Sequence, residues 1–395
     1  MIDILIENEN FACFRISMVE LTLLEACISG AFIFCLLVQL YISLFVHLRL
    51  AFIPLDDVRE HPLEPLSVIL YSRNALESLK NHLQKIIEQD YPDFEVIVVD
   101  DRSWDGTADF LSEYVKKTVR VKVVTIREGE KFIAGKKFAV TMGIKAASYD
   151  WLVLTEAGCF PASSNWLKGM QQPADPEVEI ILGYSPCQKR KGWFNVMLRL
   201  DTFFTAVNYL SFAWKGMPYM GVGRNLAYKK SLFFSRKGFA AHMHISAGDD
   251  NLFVNKHADK RNTEIRIHPD TQVWSEANFS LMHYLRQRKA RQEAQKLYQQ
   301  RHKMMLTLQA IFQFSFYLFG VLALCFPETR YPAIGIFAGY ALIRGTIYAK
   351  LFNRLGYPEL KWWLPLLEWV WILFLTLTAF VSIFVKEKPV WSKLN

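Results

Sequence analysis

The sequence predicts an α/β fold, in which a mostly parallel sheet carries helices on both faces, joined to transmembrane helices at both ends of the chain. Between Pro62 and Tyr284, short apolar runs alternate with segments whose apolar residues recur at helical spacing. Outside that region, Ala26 to Val46 and Leu306 to Phe326 are each 21 residues without a charge. Stretches of that length can cross the hydrocarbon core of a bilayer.

The alternation yields four strands and three helices. The predicted strands are Leu66 to Tyr71, Glu95 to Val99, Val119 to Ile126 and Trp151 to Thr155, and the predicted helices are Leu76 to Ile87, Thr107 to Tyr114 and Gly135 to Ala147. Ligands of open parallel sheets bind at the carboxyl ends of the strands. We therefore expect the site where the first, second and fourth strands end.

The apolar end segments predict one retained N-terminal anchor and about three C-terminal transmembrane helices. The first segment starts too late for a cleaved signal, and the leader before it is acidic. Tyr331 to Ala349, which contains Arg344, and Trp369 to Val385 are the additional C-terminal segments. Basic residues follow the anchor and fill Arg286 to Lys303, so the middle of the chain is predicted to be cytoplasmic.

These patterns divide the chain into four parts. They are a leader and anchor (1–61), a cytoplasmic domain (62–285), a basic interfacial helix (286–305) and C-terminal transmembrane helices (306–395). The net charge of +8 is explained by basic flanks that face anionic membrane lipids, so no nucleic-acid partner is predicted. The six cysteines form no CxxC pair, which indicates neither a disulfide framework nor a zinc ribbon.

The polar motifs of the domain follow a fixed order. No glycine-rich phosphate loop follows the first strand, which argues against dinucleotide and P-loop sites. The motifs are Asp100-Asp101 with the turn Arg102 to Thr107, Gly135-Lys136-Lys137, Gly221 to Tyr228, and Gly248-Asp249-Asp250.

In this order and spacing, the motifs resemble those of membrane-bound family 2 glycosyltransferases, the class that includes cellulose and hyaluronan synthases and many bacterial envelope enzymes. The resemblance covers nearly the whole chain. It implies a GT-A fold at the bacterial inner membrane and transfer of a sugar, with inversion, from a UDP- or GDP-linked nucleotide-diphosphate sugar. The implied acceptor is an envelope glycan or a lipid-linked molecule.

The resemblance also implies roles for individual residues. Asp250 is the expected catalytic base, with Asp249 as its partner, because adjacent carboxylates oppose each other's ionisation and can raise one pKa. Lys136 and Lys137 open a helix, where cations are poorly placed unless an anion such as phosphate neutralises them; surface lysines are the alternative. The expected nucleotide-sugar residues are Ser72, Arg73, Asp100, Asp101, Lys136, Glu156, Arg224, Asn225, Gln287 and Arg291.

The chain departs from the family in its metal motif. Where relatives carry Asp-x-Asp, this chain has Glu156-Ala157-Gly158, so Glu156 is the one metal ligand expected from this motif. Because Mg²⁺ and Mn²⁺ need oxygen ligands, either is a candidate cofactor with weakened affinity, or no metal binds. His242 and His244 can offer nitrogen to Mn²⁺, although loop histidines without a ligand role are the favoured interpretation.

A second departure lies in the stretch that relatives carry as Gln-x-x-Arg-Trp. Gln287 is kept, but Ala290 replaces the arginine and Arg291 the tryptophan. Lys289 or Arg291 can supply the missing charge, and a merely basic interfacial helix is the alternative. With Gly158 in place, more of the stabilisation of the leaving diphosphate is expected from Lys136, Arg224 and this stretch.

Two other functions remain as alternatives. One is a degenerate family member that binds nucleotide sugar or a partner without turnover, which the departures at Gly158 and Ala290 favour. The other is a transporter or channel that uses Arg344 and Glu368 within its spans. Aromatic residues are dense between Trp193 and Tyr219, which fits either sugar stacking or a membrane interface.

Overall fold

The computed structural model describes residues 23–54, 62–127, 135–171, 175–245, 247–277 and 280–384. The predicted acidic leader lies outside them. The chain forms two compact units. Of the described residues, one unit comprises 23–49 with 301–348, and the other comprises those between 50 and 300 with 349–384.

The larger unit is built on a seven-stranded sheet with the order β3-β2-β1-β4-β7-β6-β8, beside a two-stranded sheet of β5 and β9. The strands are β1 (Leu66–Ser72), β2 (Phe94–Asp101), β3 (Val121–Ile126), β4 (Trp151–Glu156), β5 (Cys159–Pro161), β6 (Ile180–Leu182), β7 (Leu226–Lys229), β8 (Thr263–Ile265) and β9 (Val273–Ser275). The first four are parallel to one another, while β7 runs antiparallel to β4 and β6. The predicted mostly parallel α/β sheet is confirmed.

Helices cover the sheet and extend beyond it. The larger unit contains α2 (Leu76–Ile87), α3 (Thr107–Val115), α4 (Lys136–Ala146), α5 (Trp166–Gln171), α6 (Trp193–Trp214), α7 (Lys230–Ser235), α8 (Asn251–His257), α9 (Leu281–Gln295) and α12 (Leu364–Phe384). Every residue of β2 is buried, as expected for a parallel strand covered on both faces. The predicted strand and helix positions agree with the structure to within two residues at each end.

Close packing fixes the start of α4. A Cβ atom at Gly143 would lie 2.5 Å from Val99 Cγ2 and 3.0 Å from Ile69 Cγ2, so only glycine allows α4 this close to β1 and β2. Because the helix is held against the strands at that point, its first residue, Lys136, lies close to their carboxyl ends. From β1 the chain adds β2 and β3 on one side and then β4 on the other side of β1. Open α/β sheets bind ligands at such a reversal of strand order.

The smaller unit contains most of α1 (Leu23–Phe52), with α10 (Gln300–Leu324) and α11 (Pro327–Arg354). Phe32 packs against Phe316 and Phe337, each at a ring-centroid distance of 5.3 Å. The Arg344 guanidinium lies 4.6 Å from the ring centroid of Tyr348 and is buried. Stacking on an aromatic face stabilises a buried guanidinium, so packing accounts for this charge.

Within the described residues, three helices are long and apolar enough to cross a membrane: Leu23–Phe52, Gln300–Leu324 and Pro358–Val381. The described residues thus contain one N-terminal and two C-terminal candidate spans, whereas the sequence predicted about three C-terminal transmembrane helices. The third predicted segment, Tyr331 to Ala349, lies in α11, which is helical but less apolar because it contains Arg344, Pro332 and several glycines and tyrosines.

Candidate active site

The turns after β1 and β2 are held together by side-chain hydrogen bonds. The backbone N–H of Asn74 donates to Ser103 Oγ (2.9 Å), and Asn74 Oδ1 accepts from the N–H of Trp104 (3.0 Å). Asp105 Oδ2 accepts from the N–H of Leu76 at the start of α2 (3.0 Å). Part of the Asp100 to Thr107 motif therefore holds the two turns together at the strand edge.

Asp101 accepts hydrogen bonds from two neighbouring side chains. Its Oδ2 accepts a hydrogen bond from the hydroxyl of Tyr71 (3.0 Å), and its Oδ1 accepts from Arg102 Nε (2.8 Å). Arg73 Nη1 lies 3.9 Å from Asp101 Oδ2. Asp101 thus orients Tyr71, whose ring lines the cavity described below.

Asp100 and Ser72 lie opposite each other in the register of β1 and β2. Both are buried, and in the described part of the chain neither Asp100 Oδ1 nor Ser72 Oγ has a hydrogen-bond partner. Buried polar atoms without partners are uncommon and cost about 1–3 kcal/mol each. This strand edge is therefore a polar position that a bound ligand can satisfy.

A cavity of about 500 Å³ opens beside this edge, a size typical of small-molecule sites. Its walls are formed by two strand ends, three helices and two loops. These are the ends of β1 and β4, the start of α4, the helices α6 and α9, and the loops before β7 and α8. The charged and amide side chains that line it are Lys136, Glu156, Asp201, Arg224, Asp249, Asp250, Asn251, Gln287 and Arg291.

Lys136 connects two carboxylates across the cavity. Its Nζ lies 2.6 Å from Glu156 Oε1 and 2.7 Å from Asp249 Oδ2. Burial alone would lower the pKa of Lys136, but the charges of Asp249, Glu156 and Asp250 outweigh it and raise that pKa well above its ordinary value. Conversely, burial would raise the pKa of Glu156, while Lys136 and Arg224 lower it. Lys136 and Glu156 are therefore both charged at neutral pH.

Lys137, the next residue, points elsewhere. It is buried, and its Nζ donates to the backbone carbonyls of His242 and Ile245. Burial lowers its pKa to about 8. The two lysines of the motif therefore differ, since Lys136 lines the cavity and Lys137 joins α4 to the loop before α8. His242 is buried and His244 is exposed, and neither lines the cavity.

Asp250 is held by backbone groups. Its Oδ1 accepts from the N–H of Asn251 at the start of α8 (2.6 Å), and its Oδ2 accepts from the N–H of Gly223 (2.9 Å). Burial raises the pKa of Asp250, and the charge of Asp249 raises it further, against the opposing effect of Lys136 and the two N–H groups. A carboxylate of raised pKa at the cavity wall has the property expected of a general base.

The α9 segment brings Gln287, Ala290 and Arg291 to the cavity, whereas Lys289 is absent from its lining. Arg291 Nη1 lies 3.9 Å from Asp201 Oδ2 on α6, and Arg288 Nη1 lies 3.8 Å from Asp201 Oδ1. Of the two cations proposed to replace the missing arginine, Arg291 is the one that the fold places at the site.

Arg224 and Asn225 are adjacent in the sequence but lie in different surroundings. Arg224 lines the cavity and makes no hydrogen bond or ion pair with any described residue. Asn225 is fully buried; its Nδ2 donates to the carbonyls of Tyr184 and Thr271 (both 2.8 Å), and its Oδ1 accepts from Trp166 Nε1 (3.0 Å). The structure therefore gives Arg224 a place in the site and Asn225 a place in the core.

Of the predicted site residues, the fold brings seven together in the cavity wall: Lys136, Glu156, Arg224, Asp249, Asp250, Gln287 and Arg291. Ser72, Arg73, Asp100, Asp101 and Asn225 lie outside the lining. The sequence analysis missed Asp201, Tyr71 and Tyr284, which line it. Asp201 had a detectable signal, because it is a lone carboxylate in the aromatic, largely apolar helix α6.

The residues present do not fit a bound divalent cation. Within the described ranges, no group of three or more His, Cys, Asp or Glu side chains is arranged to hold a metal. A Cβ at Gly158 would point toward Glu276 Oε2, 3.7 Å away. The oxygens of Glu276 already accept from Ser78 Oγ (2.9 Å) and contact His82 Nε2 (2.7 Å). Glu156 and Asp249 contact the Lys136 ammonium instead.

The architecture matches a known fold. The larger unit has a mostly parallel α/β sheet of the GT-A type. A solved structure of similar fold is the mannosyltransferase from Pyrobaculum calidifontis in complex with GDP-Man and Mn²⁺, with a TM-score of 0.54 and 20% identity over 85% of this chain and 97% of that one.

Part of the sequence matches a known family. Residues 67–242 match the model of the family described as Glycosyl transferase family 2. The poly-beta-1,6-N-acetyl-D-glucosamine synthase of Staphylococcus epidermidis is 32% identical over 94 residues, which are 24% of this chain and 22% of that protein. The putative teichuronic acid biosynthesis glycosyltransferase TuaG of Bacillus subtilis is 40% identical over 63 residues, 16% of this chain and 25% of that protein. The chain thus spans about a quarter of the length of these curated relatives.

Proposed function

We propose that the protein is an inverting membrane glycosyltransferase that moves a hexose from a UDP- or GDP-linked sugar to an envelope glycan or a lipid-linked acceptor. One observation carries the proposal. The same cavity contains Asp250, a carboxylate of raised pKa, and Arg224, a guanidinium without an ion-pair partner among the described residues. The first is suited to accept a proton, and the second is suited to bind an anion.

The donor is expected to lie between the strand edge and α9. Its diphosphate would bind Arg224 and Arg291, because guanidinium groups make paired hydrogen bonds to phosphate oxygens. Its nucleoside would lie toward Ser72 and Asp100, whose buried polar atoms have no partner in the described part of the chain. UDP-GlcNAc-type and GDP-mannose-type donors both meet these requirements.

In the proposed reaction, Asp250 removes the proton of the acceptor hydroxyl as that oxygen attacks the anomeric carbon. The new glycosidic bond forms while the bond from the anomeric carbon to the diphosphate oxygen breaks, so the configuration is inverted. The proton remains on Asp250, and the electron pair leaves with the nucleoside diphosphate. Arg224 and Arg291 stabilise the negative charge that develops on this leaving group.

The acceptor is proposed to approach along the membrane. The candidate span Pro358–Val381 contains Trp371 and Phe374, and these side chains pack on the helices that form one cavity wall. The rings of Trp371 and Phe204 (α6) are 4.2 Å apart, and those of Phe374 and Tyr284 (α9) are 5.6 Å apart. A cavity bounded by helices that contact an apolar span suits a lipid-linked acceptor.

We place the protein in the bacterial inner membrane as a multi-pass protein with its catalytic domain in the cytoplasm. The three apolar helices support membrane association. His47 and Arg49 near the end of α1 and the basic residues of α9 support the orientation, because positive charge concentrates on the cytoplasmic side. Nucleotide sugars are cytoplasmic metabolites, which agrees with this placement of the cavity.

The test is release of UDP or GDP from their common sugar conjugates by the purified protein in detergent, with bacterial membrane lipid added. We expect release to fall by about 10²–10⁴-fold in Asp250→Asn, the usual contribution of a general base, while nucleotide binding remains. Asp109→Asn, at an exposed carboxylate on α3, is the matched control and should be fully active.

Two results would contradict the proposal. An Asp250→Asn protein with wild-type turnover would remove Asp250 from the chemistry. Binding of nucleotide sugars without release, across all donors and lipids tried, would instead identify a binding protein without transferase activity.

A further inference from the structure

We infer that the ammonium group of Lys136 takes the place of a divalent cation in this cavity, so that the protein binds its nucleotide and transfers its sugar without a metal. The role of Lys136 in sugar transfer rests on the proposed function. Its occupation of the cation position is independent of that function and can be tested separately.

The first argument is positional. Lys136 Nζ lies 2.6 Å from Glu156 Oε1 and 2.7 Å from Asp249 Oδ2, so it fills the gap between the carboxylates at the end of β4 and the start of α8. Mg²⁺ contacts oxygen ligands at about 2.0–2.1 Å. A metal bound to these two oxygens would therefore overlap the ammonium, and the two cations exclude each other.

The second argument concerns what keeps the lysine there. The second half of α4 is packed closely against β1 and β2 at Gly143. The Lys136 ammonium also lies 5.6 Å from the ring centroid of Tyr71, which Asp101 holds by a hydrogen bond. A cation at a helix N-terminus is disfavoured by the helix dipole, and the two ion pairs offset that cost.

The third argument is the donor set. Gly158 supplies no side chain, and the nearest carboxylate, Glu276, is engaged with Ser78 and His82. A single positive charge needs fewer carboxylates than a divalent ion does. The loss of the second carboxylate at Gly158 is therefore consistent with a lysine in the cation position, and Arg224 supplies further positive charge for a diphosphate.

The experiment is a Mn²⁺ titration of the purified full-length protein in detergent, followed by the electron paramagnetic resonance signal of free Mn²⁺, with UDP, with GDP and without nucleotide. We expect the wild type to take up no Mn²⁺ beyond the amount that the same concentration of UDP or GDP binds without protein. Lys136→Met releases the carboxylates of Glu156 and Asp249, so it should bind Mn²⁺ at least about tenfold more tightly than the wild type. Lys145→Met, at an exposed position of the same helix, is the control and should behave as the wild type.

A second measurement covers the case in which Lys136→Met does not fold. The affinity of the wild type for UDP and GDP is compared in EDTA and in Mn²⁺. We expect a change of less than about twofold for the nucleotide that binds. Lys136→Arg keeps the positive charge and should remain free of Mn²⁺.

The inference is overturned if the wild type binds Mn²⁺ as tightly as Lys136→Met, or if EDTA weakens nucleotide binding by more than about tenfold. Failure of the proposed function gives a different result. In that case neither UDP nor GDP binds under any condition, while the Mn²⁺ titration still decides whether Lys136 occupies the cation position.

Discussion

Replacement of Asn225 separates a role in folding from a role in nucleotide binding. The sequence predicts this residue in the nucleotide-sugar site, whereas the structure buries it completely. Its amide group hydrogen-bonds three partners: the carbonyls of Tyr184 and Thr271 and the indole N–H of Trp166. These partners are in three separate segments, so Asn225 holds them together below the cavity.

The magnitude follows from the partners that Asn225→Ala would leave behind. Each buried polar group without a hydrogen bond costs about 1–3 kcal/mol, so three of them cost about 3–6 kcal/mol if the surroundings relax in part. A typical domain has a free energy of unfolding of only about 5–15 kcal/mol. We therefore expect the melting temperature to fall by about 10 °C or more.

The assay is thermal unfolding of the purified variants in detergent, alongside UDP and GDP binding at a temperature at which each variant is folded. Asn225→Asp is a second test, because its carboxylate would face two carbonyl oxygens and should destabilise at least as much. Asn81→Ala, at an exposed position of α2, is the control and should melt as the wild type. A melting temperature within about 2 °C of the wild type, together with lost nucleotide affinity, would refute the reasoning and restore Asn225 to the site.

Two further predictions address the cavity wall and the response to acid. Asp201→Asn removes the buried carboxylate whose oxygens lie 3.8 Å from Arg288 and 3.9 Å from Arg291. Long pairs of this kind that keep one side open to solvent contribute about 0.2–1 kcal/mol each. KM for the nucleotide sugar should therefore rise about two- to tenfold with little change in kcat, and an unchanged KM in initial-rate measurements would contradict this. Burial lowers the pKa of His242 to about 4. The imidazole of His242 takes up a proton near pH 6.5 in the unfolded chain but only near pH 4 in the folded protein. The free energy of unfolding should therefore decrease as the pH falls from about 6.5 toward 4, by up to about 3 kcal/mol. His242→Leu should flatten the melting temperature over this range, and an identical pH dependence would exclude His242 as the cause.

The fold was predictable because the signals of its elements are strong and local. The β2 sequence is apolar from Val96 to Val99, and the α2 sequence carries apolar residues at helical spacing, so neither has a credible alternative. The segment Tyr331 to Ala349 was harder to judge. Its helical character follows from its sequence, but whether Arg344 is tolerated depends on the ring of Tyr348, which only the packed structure brings alongside it.

The site was predictable by position and less so by side-chain direction. Lys136 and Lys137 are equivalent in the sequence, but successive side chains of a helix point about 100° apart around its axis. The side chain of Lys136 therefore lines the cavity, whereas that of Lys137 donates to backbone carbonyls. The same holds for Arg224 and Asn225, which are adjacent and face opposite sides of the backbone. Asp201 was missed because the contact with Arg291 joins residues far apart in the sequence.

The position of Lys136 also explains how two adjacent carboxylates can serve different purposes. Asp249 is paired with the ammonium, whereas Asp250 is held by two backbone N–H groups, which orient it without neutralising it. A divalent ion between Glu156 and Asp249 would place twice the positive charge beside Asp250 and lower its pKa, because a nearby cation favours the ionised form. A single ammonium neutralises less of the local charge and leaves Asp250 with the raised pKa that a general base needs. The metal-free binding and the proton removal by Asp250 that we propose would thus both follow from the position of the same lysine.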